Sequence, residues 1–402
     1  MRRAGTVPNL LIAILLAAHA GSAYAAEGPF IPIDLGTLGG PESNASAVND
    51  SGQVFGSSST GDNAELHPFS WTQAGGMIDL GTLFGASSFA VAVNAVGQVV
   101  GDSSTPDHAV SHAFSWTQAG GLIDLGTLGG PGSNASAVSD SGQVVGSSFT
   151  ATFGPVHAFS WTQAGGMIDL GTLGGSVSGA FAVNTSGQVV GYSDSRNTAG
   201  FGVSRAFSWT QAGGMIDLSP ESTFSAALAV NASGQVVGYS DRSENRDFHA
   251  FLWTQAGGLI DLGTLGGADS SAFAVNASGQ IVGRSRTADN RERAVLWEPI
   301  SSLGCKTTLA GCNLTGANLA GAYLKDGDLS DANLQDSNLV RANLTDANLK
   351  SANLNGANLT NANLVGANLK GAHVKDVIWS NTICPDGTNS DANGGTCKGH
   401  LR

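Results

Sequence analysis

The sequence predicts an all-β chain built from two unlike repeats. Three observations carry that prediction. Four landmarks recur six times between residues 33 and 297, a five-residue period takes over at Cys312, and the two regions differ in charge. Glycine is abundant and charged residues are only 12% of the chain, with many short apolar segments separated by turn residues. That composition suits a β repeat protein better than disorder or a helical bundle.

The chain opens on Arg2 and Arg3, then an apolar run at residues 10–18, then Ala23-Tyr24-Ala25. A positive start, a short apolar core and a small-residue cleavage site are the features of a secretory signal peptide, here residues 1–25. The run is too short to span a bilayer comfortably. The expectation is a secreted or periplasmic protein, with no membrane insertion after cleavage.

Residues 27–300 hold 23 acidic and 8 basic side chains, a net of −15, whereas residues 301–402 hold 8 of each. All eight basic residues of the first part are arginines at or beyond Arg196. An acidic surface of this kind repels nucleic acid, so no nucleic-acid partner is expected. The change in charge marks a domain boundary near residue 300.

The first region is built on the stretch at residues 157–175. Phe159 and Trp161 alternate with small residues, the period of a half-buried strand. The turn Thr162-Gln163-Ala164-Gly165-Gly166 reverses the chain, and Met167-Ile168-Asp169-Leu170 returns. The tryptophan recurs at Trp71, Trp116, Trp161, Trp209, Trp253 and Trp297, spaced 44 to 48 residues apart. The aspartate recurs at Asp34, Asp79, Asp124, Asp169, Asp217 and Asp261. Between successive copies lie an Ala-Phe-Ala-Val-like strand and a Gln-Val-Val-Gly-like strand, joined by Asn-x-Ser-Gly, which suits a type I turn. Four strands in about 45 residues is the size of a propeller blade. The region begins with the strand at Ile33-Asp34-Leu35 and ends with the one at Trp297. These unmatched halves predict that the first strand completes the sixth sheet and closes a six-bladed β-propeller over residues 33–300, removing the raw edge.

These repeats, with His-Ala-Phe at His112, His157 and His249, resemble the HAF repeat family of bacterial extracellular repeats. The resemblance implies an extracellular repeat protein and little about activity. The chain departs from the motif at Pro68, which follows His67, and at Arg205 and Arg293, which replace the histidine. A residue present in every blade does the same structural work in each. The recurring His and Asp are therefore expected to tie strands together, since a buried carboxylate needs donors. The tryptophans are expected to pack between blades.

Recognition is expected where the copies differ. The connections at residues 57–66, 102–111, 147–156, 192–204, 239–248 and 284–292 vary from copy to copy and fall on one face, and variable loops on a rigid scaffold carry function. The early blades offer Asp62, Glu65, Asp102 and Asp107. The later ones offer Arg196, Arg242, Arg246, Arg284, Arg286 and Arg291. The expectation is a binding face with an acidic side and an arginine-bearing side.

From Cys312 a leucine recurs every fifth residue, from Leu314 to Leu369 and on to Val374, with alanine two positions before it in most copies. Such spacing cannot make an amphipathic helix. It closely resembles the pentapeptide repeat family. That resemblance implies a right-handed, four-sided (quadrilateral) β-helix over residues 305–376, with Leu and Ala inward and about twenty residues per coil. Some family members mimic DNA and bind topoisomerases, a role that a charge-neutral exported domain does not share. Residues 377–402 form a cysteine-containing cap. Cys305, Cys312, Cys384 and Cys397 allow three disulfide connectivities. Cys384–Cys397 around a glycine-rich loop, with Cys305–Cys312, is the favoured one in an exported chain. The spacings match no zinc site, and neither metal nor cofactor is expected. The function expected is non-catalytic binding or scaffolding of an unknown protein or glycan partner. The competing readings are a secreted glycan-acting propeller enzyme and a self-associating surface or matrix component.

Overall fold

The computed structural model describes residues 33–49, 51–61, 65–84, 87–104, 110–196, 202–241, 247–287, 290–299 and 309–401. The expected signal peptide, residues 1–25, lies outside them. Among the described residues no helix is long and apolar enough to cross a membrane.

The first region is six antiparallel sheets in chain order, each an up-and-down propeller blade. Blade 1 is β1 (Ser43–Val48), β2 (Val54–Ser59), β3 (Leu66–Thr72) and β4 (Gly76–Asp79). Blade 2 is β5 (Ser88–Val93), β6 (Val99–Ser104), β7 (Ser111–Thr117) and β8 (Gly121–Asp124). Blade 3 is β9 (Ser133–Val138), β10 (Val144–Phe149), β11 (Val156–Thr162) and β12 (Gly166–Asp169). Blade 4 is β13 (Ser178–Val183), β14 (Val189–Arg196), β15 (Gly202–Thr210) and β16 (Gly214–Asp217). Blade 5 is β17 (Ser225–Val230), β18 (Val236–Asp241), β19 (Phe248–Thr254) and β20 (Gly258–Asp261). Blade 6 is β21 (Gly266–Val275), β22 (Ile281–Thr287) and β23 (Glu292–Trp297).

Each blade is pinned by two local devices. The turn between the first two strands is a type I turn followed by a bulge, as where Gly187 N donates to Asn184 O at 3.1 Å and Asn184 N donates to Gln188 O at 3.1 Å. A second bulge interrupts the first strand, between Ala180 and Ala182 in blade 4. There the neighbouring strand must carry glycine. A Cβ on Gly191 would stand 2.0 Å from Gly179 O, and the same clash recurs at Gly56, Gly101, Gly146, Gly238 and Gly283. That steric demand explains why the Val-Val-Gly motif never changes its last letter.

Blades stack through five apolar clusters of one design. Val145, Ala158 and Leu170 of blade 3, for example, pack on Ala180, Val189 and Phe207 of blade 4, with Trp209 alongside. The tryptophans occupy these contacts in blades 2 to 6, the role expected of them. Polar ties run beside the clusters: Ala113 N, Ala158 N, Ala206 N and Ala250 N each donate to a serine Oγ of the following blade. Blade 1 cannot make this bond, because Pro68 replaces that alanine and has no N–H.

The seam differs from the five internal contacts. Blade 6 has three strands among the described residues, and Ile33-Asp34-Leu35, nominated by the sequence as its fourth, are not in a strand. On the outer face of blade 6, Val282 is 47% exposed and Ala294 is exposed. Their counterparts Val145 and Ala158 are fully buried. On the facing side of blade 1, Ala45 is exposed and Val48 is 64% exposed, although Phe69 is buried. The blades are as the repeats predict. Among the described residues the last sheet has no fourth strand to cover these positions.

The second region is a coil of twenty residues per turn. Parallel bridges join Asn333 to Asn353, Asn338 to Asn358, and so on at that spacing up to Asn363 and Ile383. Leucines 329 to 369 and alanines 332 to 367 fill one continuous interior. The residue before each inward alanine position has positive φ. It is glycine at six of these corners, while Asp326, Asp336, Arg341 and Asn361 are among the non-glycine residues that accept the conformation. Asp and Asn bear that strain better than most side chains. The register continues past Val374: Trp379 and Cys384 take the leucine position and Thr382 the alanine position, all buried.

Candidate functional site

The repeated polar residues are engaged in the framework. His157 Nδ1 lies 2.8 Å from Asp169 Oδ2, bridging the last two strands of blade 3, while Asp169 Oδ1 accepts from Gly171 N at 2.7 Å. The same pair forms at His67–Asp79, His112–Asp124 and His249–Asp261, and Arg205 makes it with Asp217 at 2.8 Å. One carboxylate thus fixes the adjacent strand and the turn that follows it. Four near-identical copies give no single reacting pair. At the opposite end, Gln98, Gln143 and Gln188 each donate to a serine within their own blade. Asn94, Asn184 and Asn231 reach the backbone of the next blade.

The variable end is where the copies diverge, and there a groove opens between blades 5 and 6. It encloses about 320 Å³ and is lined by Phe224, Tyr239 and Phe248 from blade 5 and by Asp269, Arg284, Arg286 and Glu292 from blade 6, with serines 270, 271 and 285 at its floor. The three rings pack on one another. Phe224 stacks on Tyr239 at 6.2 Å, and Phe248 meets both edge-on at 5.8 and 5.6 Å. Burial pushes the Tyr239 phenol above its ordinary value, with Arg284 opposing the shift. Arg284 sits 5.9 Å from the Phe273 ring centre and 3.1 Å from Glu292. Arg286 approaches Asp269 at 3.4 Å, and Asp269 also accepts from Phe248 N at 3.1 Å, linking the two blades. A second hollow of about 360 Å³, between blades 2 and 3, is lined by Gln98, Ser115, Trp161 and residues of the Thr-Gln-Ala-Gly-Gly turn that blades 1 to 5 share.

The structure places the sequence-nominated residues unequally. Arg284 and Arg286 line the groove. Asp102 turns inward, where its carboxylate accepts from Ala135 N of blade 3 at 2.8 Å. Burial raises its pKa to about 6 against the opposing pull of that bond, so it serves as a tie between blades. Glu65 is exposed at the start of β3, with its carbonyl accepting from Thr60 N. Arg196 ends β14, paired in register with Gly202. Asp62, Asp107, Arg242 and Arg246 lie outside the described residues. Sequence reasoning missed Phe224, Tyr239 and Phe248. The available signal was the combination of three aromatics in one blade: Tyr192 matches Tyr239 in blade 4, but no other copy has an aromatic at the positions of Phe224 and Phe248.

In the coil, Cys384 and Cys397 are joined by a disulfide. Cys312 is also disulfide-bonded, while Cys305 lies outside the described residues. Asp386 anchors the tail. Thr388 donates to it from its side chain and its backbone, and His400 adjoins it, which together hold its pKa down to about 2. Among the described residues no group of three or more His, Cys, Asp or Glu is placed to hold a metal.

Residues 306–340 and 337–376 match the pentapeptide repeats family model. No curated protein matches the chain. Among solved structures, the pentapeptide repeat protein HetL from Nostoc sp. strain PCC 7120 is 36% identical over 20% of this chain and 39% of its own, with a TM-score of 0.14. Rfr23 from Cyanothece 51142 is 43% identical over 17% of this chain and 49% of its own, with a TM-score of 0.15. The chain thus spans less than half the length of either. TolB from Acinetobacter baumannii is 12% identical over 61% of this chain and 63% of its own, with a TM-score of 0.35.

Proposed function

We propose that this protein is an exported, non-catalytic binding or scaffold protein that recognises its partner through the variable ends of its propeller blades. One observation carries the reading. The recurring side chains are consumed in strand and blade ties, while differing residues of blades 5 and 6 converge on a groove at the variable end. The pentapeptide coil serves as a spacer or docking rod. Export rests on the amino-terminal segment. The disulfide in the tail fits an oxidising compartment.

The test exchanges residues 239–248 and 284–292 for the corresponding connections of blade 3 in the full chain. Wild type and exchange variant are then compared on an array carrying glycans and surface-extract proteins. Binding by the wild type that is lost in the exchange supports the reading. Equal binding by both overturns it.

A second reading, self-association, is favoured by the outer face of blade 6, where Val282 and Leu296 are 47% and 53% exposed. The occupant that fits is blade 1 of another copy, because five contacts of that design already exist within one chain. Sedimentation at rising concentration tests it: a monomer throughout, or a Val282→Asp variant that associates as well as wild type, removes this reading.

A further inference from the structure

Strand register makes the six copies comparable position by position. Three positions at the variable end of each blade matter: the residue before the first strand's leading serine, the residue facing the first strand's bulge region on the second strand, and the one two residues before Pro68 or the matching alanine in the third strand. They are Glu42, Ser57 and Leu66 in blade 1, and Ser87, Asp102 and Ser111 in blade 2. Blade 3 has Gly132, Ser147 and Val156, and blade 4 has Val177, Tyr192 and Ser204. Blade 5 places Phe224, Tyr239 and Phe248 there, and blade 6 places Asp269, Arg284 and Glu292. Only blade 5 is aromatic at all three positions, and only blade 6 is charged at all three. The two triplets are adjacent and face a common groove. The framework does not require this, since four other blades fold without it.

The chemistry of the groove selects a ligand class. One wall is a cluster of rings that offers an apolar surface. The other holds two guanidinium groups and two carboxylates, already paired as Arg284–Glu292 and Arg286–Asp269. The wall is therefore charge-balanced. An anion would have to displace a carboxylate from each arginine, and a cation would meet two arginines. A neutral molecule with one apolar face and several hydroxyl groups suits both walls: its C–H face lies on the rings, and its hydroxyls donate to the carboxylates and accept from the guanidiniums and the serines. The groove volume is at the small end of the roughly 300–1,000 Å³ range of small-molecule sites, enough for one or two sugar units. We propose that the groove between blades 5 and 6 is a binding site for a neutral saccharide. This rests on the recognition reading above and names the ligand class for one of its sites.

The test uses the full chain on an array of neutral hexose oligosaccharides, uronate and sulfated oligosaccharides, and aromatic-rich peptides, at low and high salt. Binding to neutral oligosaccharides that is little changed by salt is expected, because no net charge is exchanged. Phe248→Ala and Glu292→Gln should each weaken it on the order of tenfold, while Val156→Ala, at the matching position of blade 3, leaves it intact. Tyr239→Phe, which keeps the ring, should lose less than Tyr239→Ala. Neutral-sugar binding unaffected by Phe248→Ala and Glu292→Gln in variants with native circular dichroism overturns the site. Binding of uronates or peptides in place of neutral sugars, lost in the same variants, overturns the ligand class and leaves the recognition reading standing. No binding that depends on either connection overturns both.

Discussion

The propeller and the pentapeptide coil are both tandem repeats, but they hold together differently. In the propeller, backbone hydrogen bonds stay within a blade with few exceptions, such as Ser204 N to Thr223 O, and blades meet mainly through side chains: an apolar cluster and a serine or asparagine tie. In the coil, backbone bonds cross from one turn to the next, as where Leu344 N donates to Asn363 O at 2.7 Å and Asn363 N to Ala342 O at 3.0 Å. The consequence is visible in the spacing. Tryptophan intervals vary from 44 to 48 residues, because a blade can lengthen a connection without disturbing its neighbours. The coil keeps twenty residues in every turn, because one extra residue would misalign every bond beyond it. The propeller is free to vary at one end, and the coil is not.

The comparison can be broken or sharpened by substitution. The largest effect is expected for Leu349→Ala, which empties a fully buried site in the single coil interior and should cost about 4 kcal/mol. Thermal unfolding should show the coil transition falling while a propeller transition stays in place. A common shift of both would mean that the regions are not energetically separate. Next is Gly191→Ala, whose Cβ would meet Gly179 O. It should cost about 3 kcal/mol and lower the propeller transition alone.

A smaller effect comes from Asp102. Its folded pKa, near 6, is above the ordinary carboxylate value, so the folded state binds a proton more tightly than the unfolded chain. Its contribution is present below about pH 4 and lost as pH rises through about 6, on the order of 3 kcal/mol at most. Denaturant melts of wild type and Asp102→Asn across that window should diverge as pH rises. Parallel curves would show that the carboxylate is ionised at little cost.

His157→Ala removes a partly exposed tie and should cost about 1 kcal/mol or less. A loss of several kcal/mol would show these pairs to be stronger ties than their exposure implies. The smallest effect is local. Asp386 titrates low, so its hold on the tail is complete above about pH 4 and is lost as pH falls through about 2. Protection of the Thr388 amide, its exchange relative to the intrinsic rate at each pH, should fall over that interval and stay constant above it.

Much of this was legible in the residues. Trp161 and its equivalents, the Asn-x-Ser-Gly turns and the five-residue leucine period each report a local rule: strand alternation, turn geometry or coil length. His157 and Asp169 could be read as a tie because repetition argues against a unique reaction. The groove was not legible in this way. Phe224, Tyr239 and Phe248 are distant in sequence, and only the pairing of β18 with its two neighbours brings them together. Asp102 reads as a surface acid in the sequence, which does not say which end residue bends toward the next blade. Residues 377–402 read as a cysteine-containing cap, yet the coil's bridges carry its register through Trp379 and Cys384.

The sequence by itself determined the repeat units, their number and the inward-facing residues, because each follows from spacing along the chain. Tertiary structure alone decided which variable side chains share a groove, which acids turn inward and whether the end blades find partners. Those are contacts between residues far apart in the chain, and their free energy depends on how whole sheets stack.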